Sequence, residues 1–284
     1  MSAPQNIIAV VFDFDDTLTD DSTTALIQSV GIDPEDFWGN KAKVLLDAGW
    51  DPTPAYLKLI LDNVGVGKPF GKLTNLGLRE FGAKLSFYQG LPGLFKDLRE
   101  SVKEHPLSNP GIEFYVISGG LEEIIGGSAI AKHLTRFWGC QFAEEGGRIS
   151  HVKKVVSFTE KTKHLFEINK GLIGPGVGPY SVNERVDPAD RRVPFANIIY
   201  LGDGLTDVPC FSLLEHLGGR SFGVFDPTKE NSPKKAWEKL LAPKRVTSLN
   251  APKYGKRDDL GSLLRAVVKA RCLDMDARVG APGR

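Results

Sequence analysis

The chain has 284 residues, of which 41% are hydrophobic and 25% charged, and its net charge is +1. That length supports a sizeable core, either as one large domain or as a domain carrying a smaller insert. The balanced charge excludes a basic footprint for nucleic acid and an acidic disordered tail, and no run approaches the roughly 20 apolar residues that span a bilayer.

The opening "MSAPQN" lacks a basic segment followed by an apolar stretch and a cleavage site. Cys140, Cys210 and Cys272 are far apart, with neither a Cys-x-x-Cys pair nor zinc spacing. They read as reduced, buried thiols, and the expected location is cytoplasmic.

The first element is Ile7–Phe12, a continuous β-branched apolar run that suits a central strand buried on both faces. Directly after it come Asp13, Asp15, Asp16, Asp20 and Asp21. Carboxylates just past a central strand sit where open α/β sheets place their ligands. Asp13 and Asp15 leave an extended chain on the same side, and two carboxylates so close need a cation between them or a retained proton. Magnesium, a hard oxygen-seeking ion, suits that place. A calcium loop does not fit, because the positions that require Gly and Glu hold Leu18 and Thr24. Taken alone, the cluster reads equally well as a strand-to-helix turn crowded with capping aspartates.

From about Thr23 to Gln89 the strand rhythm stops. "NKAKVLLDAG", "PAYLKLILDNVG" and "NLGLREFGAKLSFYQ" are helical in pattern. They predict a helical insert over 21–87, with a discontinuous core over 1–20 and 88–284. Trp38 and Trp50 are expected to anchor the core of that insert. Next come a helix in "LPGLFKDLRESVKEH" and a strand at 112–118 ending in "VISGG", where the Ser118 hydroxyl and the Gly119 N–H at a helix start would cradle an anion. "TEKTKHLFEINKG" predicts a helix opening on Thr159 and closing on Gly171. Lys161 lies in its first turn and is preferred over Lys163 and Lys170 as a cation for a phosphate site.

The stretch 171–197 is rich in Gly and Pro, too long for an ordinary loop, and reads as functional or disordered. Its Asn183, Arg185, Arg191 and Arg192 are expected mainly to tie it down. A strand at 197–202 leads into "GDGLTD", which places Asp203 and Asp207 at a helix start, and a strand follows at 221–225. The five histidines show no metal-ligand spacing. The C-terminal "KYGKRDDLGSLLRAVVKARCLD" predicts a helix on the sheet, followed by a frayed "ARVGAPGR". Alternating strands and helices imply a Rossmann-like three-layer α/β/α core with a mostly parallel sheet and an inserted helical cap domain.

In four places, in order, the residues resemble the haloacid dehalogenase-like superfamily, in its phosphatase branch. Asp13-Phe14-Asp15-Asp16-Thr17 resembles the first family motif, Ser118 the second, Lys161 the third, and Gly202-Asp203-Gly204-Leu205-Thr206-Asp207 the fourth. The resemblance implies a magnesium-dependent phosphatase acting on a small phosphate ester. Asp13 would be the nucleophile that becomes an aspartyl-phosphate, and Asp15 the acid and then the base. Asp13, the backbone carbonyl of Asp15, and Asp203 would hold the metal, with Asp207 in support. Ser118, Gly119 and Lys161 would hold phosphoryl oxygens.

Asp15 is the residue that dehalogenases of this fold lack, so the resemblance favours phosphate esters. A phosphonatase would need a cap lysine, and nothing distinguishes Lys41, Lys43 or Lys58 for that role. The motif spacing is most similar to phosphoserine-phosphatase-like enzymes. Ser22, however, stands where those carry a glutamate for the substrate ammonium, which argues against phosphoserine. A phosphotransferase or phosphomutase, or a non-catalytic phosphate-binding module, remain the alternatives.

Overall fold

The computed structural model describes residues 4–174 and 176–280. Among the described residues seven strands follow one another: β1 (Ile7–Phe12), β2 (Gly111–Leu121), β3 (Arg136–Glu145), β4 (Arg148–Lys154), β5 (Ile198–Gly202), β6 (Arg220–Val224) and β7 (Ser248–Asn250). They form a single sheet in the order β4-β3-β2-β1-β5-β6-β7, parallel throughout except for the β3–β4 hairpin. β1 is central, and Ile8 to Phe12 are fully buried, as its apolar run requires. The chain leaves β1 to pair β2 on one side and β5 on the other. The crevice at the carboxyl ends of β1, β2 and β5 is therefore the switch point where such sheets bind ligands.

Between β1 and the next core helix lie α1 (Ser22–Gln28), a π-helical stretch Glu35–Ala42 that runs into α2 (Lys43–Asp47), α3 (Pro52–Asp62) and α4 (Asn75–Gly82). The core helices are α5 (Gly93–Val102), α6 (Glu122–Gly127), α7 (Phe158–Lys170), α8 (Val208–His216), α9 (Ser232–Ala236) and α10 (Asp259–Gly280). α5 packs on β2 and α10, while α7 packs on β2 and α8, so the sheet lies between helices in a Rossmann-like α/β/α arrangement.

The two connections of the helical insert meet at its base. Thr19 Oγ1 donates to the Ser86 carbonyl (2.7 Å) and the Tyr88 N–H to the Leu18 carbonyl (3.0 Å). Farther out, α4 crosses α6 backbone to backbone. A Cβ on Gly82 would lie 2.1 Å from the Ile124 oxygen, and one on Gly127 2.0 Å from the Arg79 oxygen. Neither neighbour is a side chain that can swing away. Gly127→Ala is expected to cost about 1–3 kcal/mol by forcing the two helices apart, seen as a lower urea midpoint at unchanged slope.

Several expectations need correction. The β3–β4 hairpin and β7 were not foreseen, because β4 is largely exposed and charged and β7 is three residues long. α4 stops at Gly82, so the second half of "NLGLREFGAKLSFYQ" is not helical. α7 opens one residue early, at Phe158, although it closes on a left-handed Gly171 as expected (φ 78°). α10 extends through Gly280, so Ala277 to Gly280 are helical rather than frayed, and the rest of that tail lies outside the described residues. Trp50 is 41% exposed and anchors nothing.

The 171–197 stretch, apart from Pro175, is pinned to the core. Lys170 Nζ donates to the carbonyls of Val182 and Glu184 (2.6 Å each), and Arg192 pairs with Glu113 on β2.

Candidate active site

Asp13 is the first residue after β1, and its N–H still donates to the Leu201 carbonyl of β5 (2.8 Å). Its carboxylate accepts from the Phe14 N–H at Oδ1 (2.7 Å) and from Lys161 Nζ at Oδ2 (2.8 Å). Lys161 comes from the first turn of α7 and is only 1% exposed. Burial opposes its charge, but Asp13 and Asp207 outweigh that and hold it above the usual lysine range. Its second bond goes to Asp207 Oδ1 (2.7 Å), which the Tyr200 hydroxyl also reaches (2.7 Å). Asp207 folds back against β5 because residue 202 is glycine: a Cβ there would stand 2.4 Å from the Asp207 Cγ. Lys163, by contrast, pairs with Glu160 on the outer face of α7.

Oxygens of Asp13, Asp203 and Asp207 all lie within 4.8 Å of one another. Asp203 has no hydrogen-bond partner for its carboxylate among the described residues. Burial, then the charges of Asp13 and Asp207, push its pKa well above the carboxylate range. A single lysine thus faces three carboxylates, and the excess negative charge of hard oxygens fits a divalent cation such as magnesium.

Asp15 Oδ1 accepts from the Ser22 N–H (2.8 Å), and its other oxygen faces Gly120, where a Cβ would come within 2.6 Å. Ser118, Gly119 and Gly120 occupy a register shift in β2, not the helix start expected for them; α6 begins only at Glu122. The bulge turns the Ser118 hydroxyl inward. Its Oγ accepts from the Gly120 N–H (2.9 Å), which leaves its own proton free to donate. The Gly119 carbonyl accepts from the Tyr56 hydroxyl of α3 (2.6 Å), joining the insert to the strand end.

A cavity of about 220 Å³ gathers these groups. Its lining includes Asp13, Asp15, Ser118, Gly119, Lys161 and Asp203, with Asp207 behind Lys161. The insert closes the cavity with Asp21, Thr23, Trp38 and Tyr56. Sequence reasoning missed Gly120, Tyr56, Thr23 and Thr206, and saw in Trp38 mainly a core anchor. The doubled glycine after Ser118 was the available signal for Gly120. Of the extra aspartates, Asp16 pairs with Lys229, Asp20 accepts from the Tyr88 hydroxyl (3.0 Å), and Asp21 caps α1.

No family model matches the chain. It is 33% identical over 239 residues to an uncharacterised protein of Borreliella burgdorferi, an alignment that covers 76% of this chain and 81% of that one. The two belong to one family. Among solved structures, a HAD family hydrolase from Salmonella enterica serovar Typhi superposes with a TM-score of 0.57 at 14% identity, over 87% of this chain and 67% of that one. A phosphoserine phosphatase carrying a phospho-aspartyl intermediate analogue superposes with a TM-score of 0.53 at 14% identity, over 92% and 99%. A phosphoserine phosphatase in apo form gives 0.54 at 15% identity, over 91% and 98%.

The chain has the haloacid dehalogenase-like fold.

In this haloacid dehalogenase-like chain the electrostatics of the crevice predict a pH response. Burial, opposed by Lys161, raises Asp13 to about 7, and burial followed by the charge of Asp21 raises Asp15 to about 8. Both values lie above the unfolded 3.8, so the folded state binds the extra protons. The contribution of these two groups to the stability of the metal-free protein is then fully present below about pH 4 and lost as pH rises towards 7–8, by up to about 1.4 kcal/mol per pH unit for each proton retained. Thermal melts at pH 5, 6.5 and 8 should show Tm falling with pH without metal. The gain on adding magnesium should grow with pH, because metal and protons compete for the same oxygens. A metal-induced shift of equal size at all three pH values would contradict this.

Proposed function

We propose that the chain is a magnesium-dependent phosphatase of a small phosphorylated metabolite, working through an aspartyl-phosphate on Asp13. The observation that carries this reading is the convergence of Asp13, Asp15, Ser118, Lys161 and Asp203 on one cavity at the switch point of the sheet. A phosphoryl group there would meet a nucleophile, a buried acid and hydrogen-bond donors within one small volume, and catalysis of phosphoryl transfer is mostly positioning and charge stabilisation.

An Asp13 carboxylate oxygen forms the new bond to phosphorus while the bond to the leaving oxygen breaks. Asp15, kept protonated by its burial, gives that oxygen a proton. Water then attacks the phosphorus, Asp15 takes a proton back, and inorganic phosphate leaves Asp13. Lys161 and the Ser118 hydroxyl hold phosphoryl oxygens. Asp13 and Asp203 would ligate magnesium together with the backbone carbonyl of Asp15, whose carboxylate is engaged by Ser22. Asp207, already bonded to Lys161 and Tyr200, positions that lysine and supports the metal from behind. The bound ion supplies neutralisation of phosphoryl charge.

The helical insert over 21–87 serves as the cap that excludes water from the crevice. The three free, buried cysteines suit a reducing, cytoplasmic setting. Phosphate release from 4-nitrophenyl phosphate and a panel of metabolite esters, with and without magnesium, tests the assignment. Metal-dependent release is expected, and no release from any ester would refute it.

A further inference from the structure

The wall that the helical insert contributes to the cavity has a specific chemistry. Trp38 and Tyr56 meet there with ring centroids 6.0 Å apart and planes at 53°, two sides of a corner. Phe37 stands edge-on to Trp38, with centroids 4.8 Å apart. The polar ends of both cavity rings are already taken: Trp38 Nε1 donates to Thr24 Oγ1 (2.9 Å) and the Tyr56 hydroxyl to the Gly119 carbonyl (2.6 Å). What they present to a ligand is therefore ring surface.

Asp21 completes the wall. One of its oxygens caps α1 through the Thr24 N–H (2.7 Å), and the other has no hydrogen-bond partner among the described residues. Lys229, which also acts on Asp21 electrostatically, is held by Asp16. Lys161, the lone cation among the described residues that line the cavity, is engaged by Asp13 and Asp207. No cation of the wall remains for a second anionic group on the substrate.

We infer that the cavity selects phosphomonoesters of small amino or quaternary ammonium alcohols, with the positive group held by the Asp21 carboxylate in the corner of Trp38 and Tyr56. This rests on the phosphatase reading above and names its substrate class. Ring faces attract a cation through their quadrupoles, and a partly desolvated carboxylate adds a direct charge partner. A sugar phosphate would need partners for several hydroxyls, and beside the two rings this wall offers only the free Asp21 oxygen and the Thr23 hydroxyl. A phosphorylated carboxylic acid would place like charge against Asp21.

The test compares kcat/KM, with magnesium present, for choline phosphate, its uncharged isostere 3,3-dimethylbutyl phosphate, glucose 6-phosphate and phosphoglycolate. Choline phosphate should exceed the isostere by about ten-fold, consistent with a cation–π contact plus one charge pair. Phosphoglycolate should be the poorest of the four. Asp21→Asn keeps a helix-capping side chain but loses the charge, so it should bring the choline-to-isostere ratio close to one. Trp38→Leu should also lower the ratio, because the loss of the ring face costs choline phosphate more than the isostere. A wild-type ratio near one, a ratio unmoved by Asp21→Asn, or glucose 6-phosphate as the best substrate would overturn the inference.

Failure of the phosphatase reading itself would look different, because 4-nitrophenyl phosphate would then release nothing. In that event calorimetric titration of the magnesium-loaded protein decides on the subsite alone. Tighter binding of choline phosphate than of the isostere, lost in Asp21→Asn, supports the subsite, and equal binding refutes it.

Discussion

Asp13→Asn is expected to lower the rate of phosphate release by at least about 10³-fold, which corresponds to about 4 kcal/mol of barrier. The amide matches the carboxylate in size, and its oxygen still accepts from the Phe14 N–H, so the loop after β1 keeps its course. What disappears is the oxygen able to bond phosphorus, together with one of the two charges on Lys161. The fold should persist, since Lys161 retains Asp207. The decisive measurement pairs single-turnover phosphate release with mass spectrometry of the quenched enzyme. Wild-type protein should carry a phosphoryl adduct on the peptide containing Asp13, and the variant none. Full activity in the variant would refute the covalent route even if wild type hydrolyses esters.

Much of the core, and the meeting of these side chains at the crevice, was legible in the sequence for one physical reason. A central parallel strand is buried on both faces, so Ile7–Phe12 had to read as an unbroken apolar run. The residues that follow such strands are fixed in space by the sheet. Asp13, Ser118 and Asp203 could therefore be placed together from three separate strand ends, and Lys161 from a helix turn.

The less legible parts lie where burial is one-sided or where packing between elements decides. β4 alternates too weakly to signal a strand, and it is shaped by its hairpin partner rather than by its own pattern. The bulge that turns Ser118 inward lies in the pairing of β2 with β3, between Ile117 and Leu121, and the pattern of β2 alone does not show it. In the insert, helical periodicity covers 40–49 and 54–65 and so places Tyr56 on a helix, while Trp38 and Trp50 fall just outside those segments. Which side chains of the insert turn to the crevice is decided by packing between elements, and such contacts leave no mark in periodicity. Trp38 and Tyr56 consequently reach the cavity while Trp50 faces solvent.

Lys161→Met separates a structural from a catalytic reading of the buried lysine. Methionine fills a similar volume without charge, so packing loss is small and the electrostatic consequence dominates. Two buried carboxylates, Asp13 and Asp207, lose the ammonium that each meets within 2.8 Å. Leaving buried charge uncompensated costs on the order of 3–5 kcal/mol. The loss should be greatest at pH 8 without metal and shrink towards pH 5, where protons can neutralise Asp13. Magnesium at pH 8 should restore part of the lost Tm, because a divalent ion supplies positive charge to the same oxygens. Activity should stay at least about 10²-fold low even when magnesium has restored the fold, since a donor to the phosphoryl oxygens is gone. Lys163→Met, which removes only a half-exposed pair with Glu160, should change stability by less than about 1 kcal/mol. Were Lys161→Met to recover full turnover together with its melting temperature, the lysine would only neutralise charge, and Ser118 with the backbone of the β2 bulge would be left to hold the phosphoryl group.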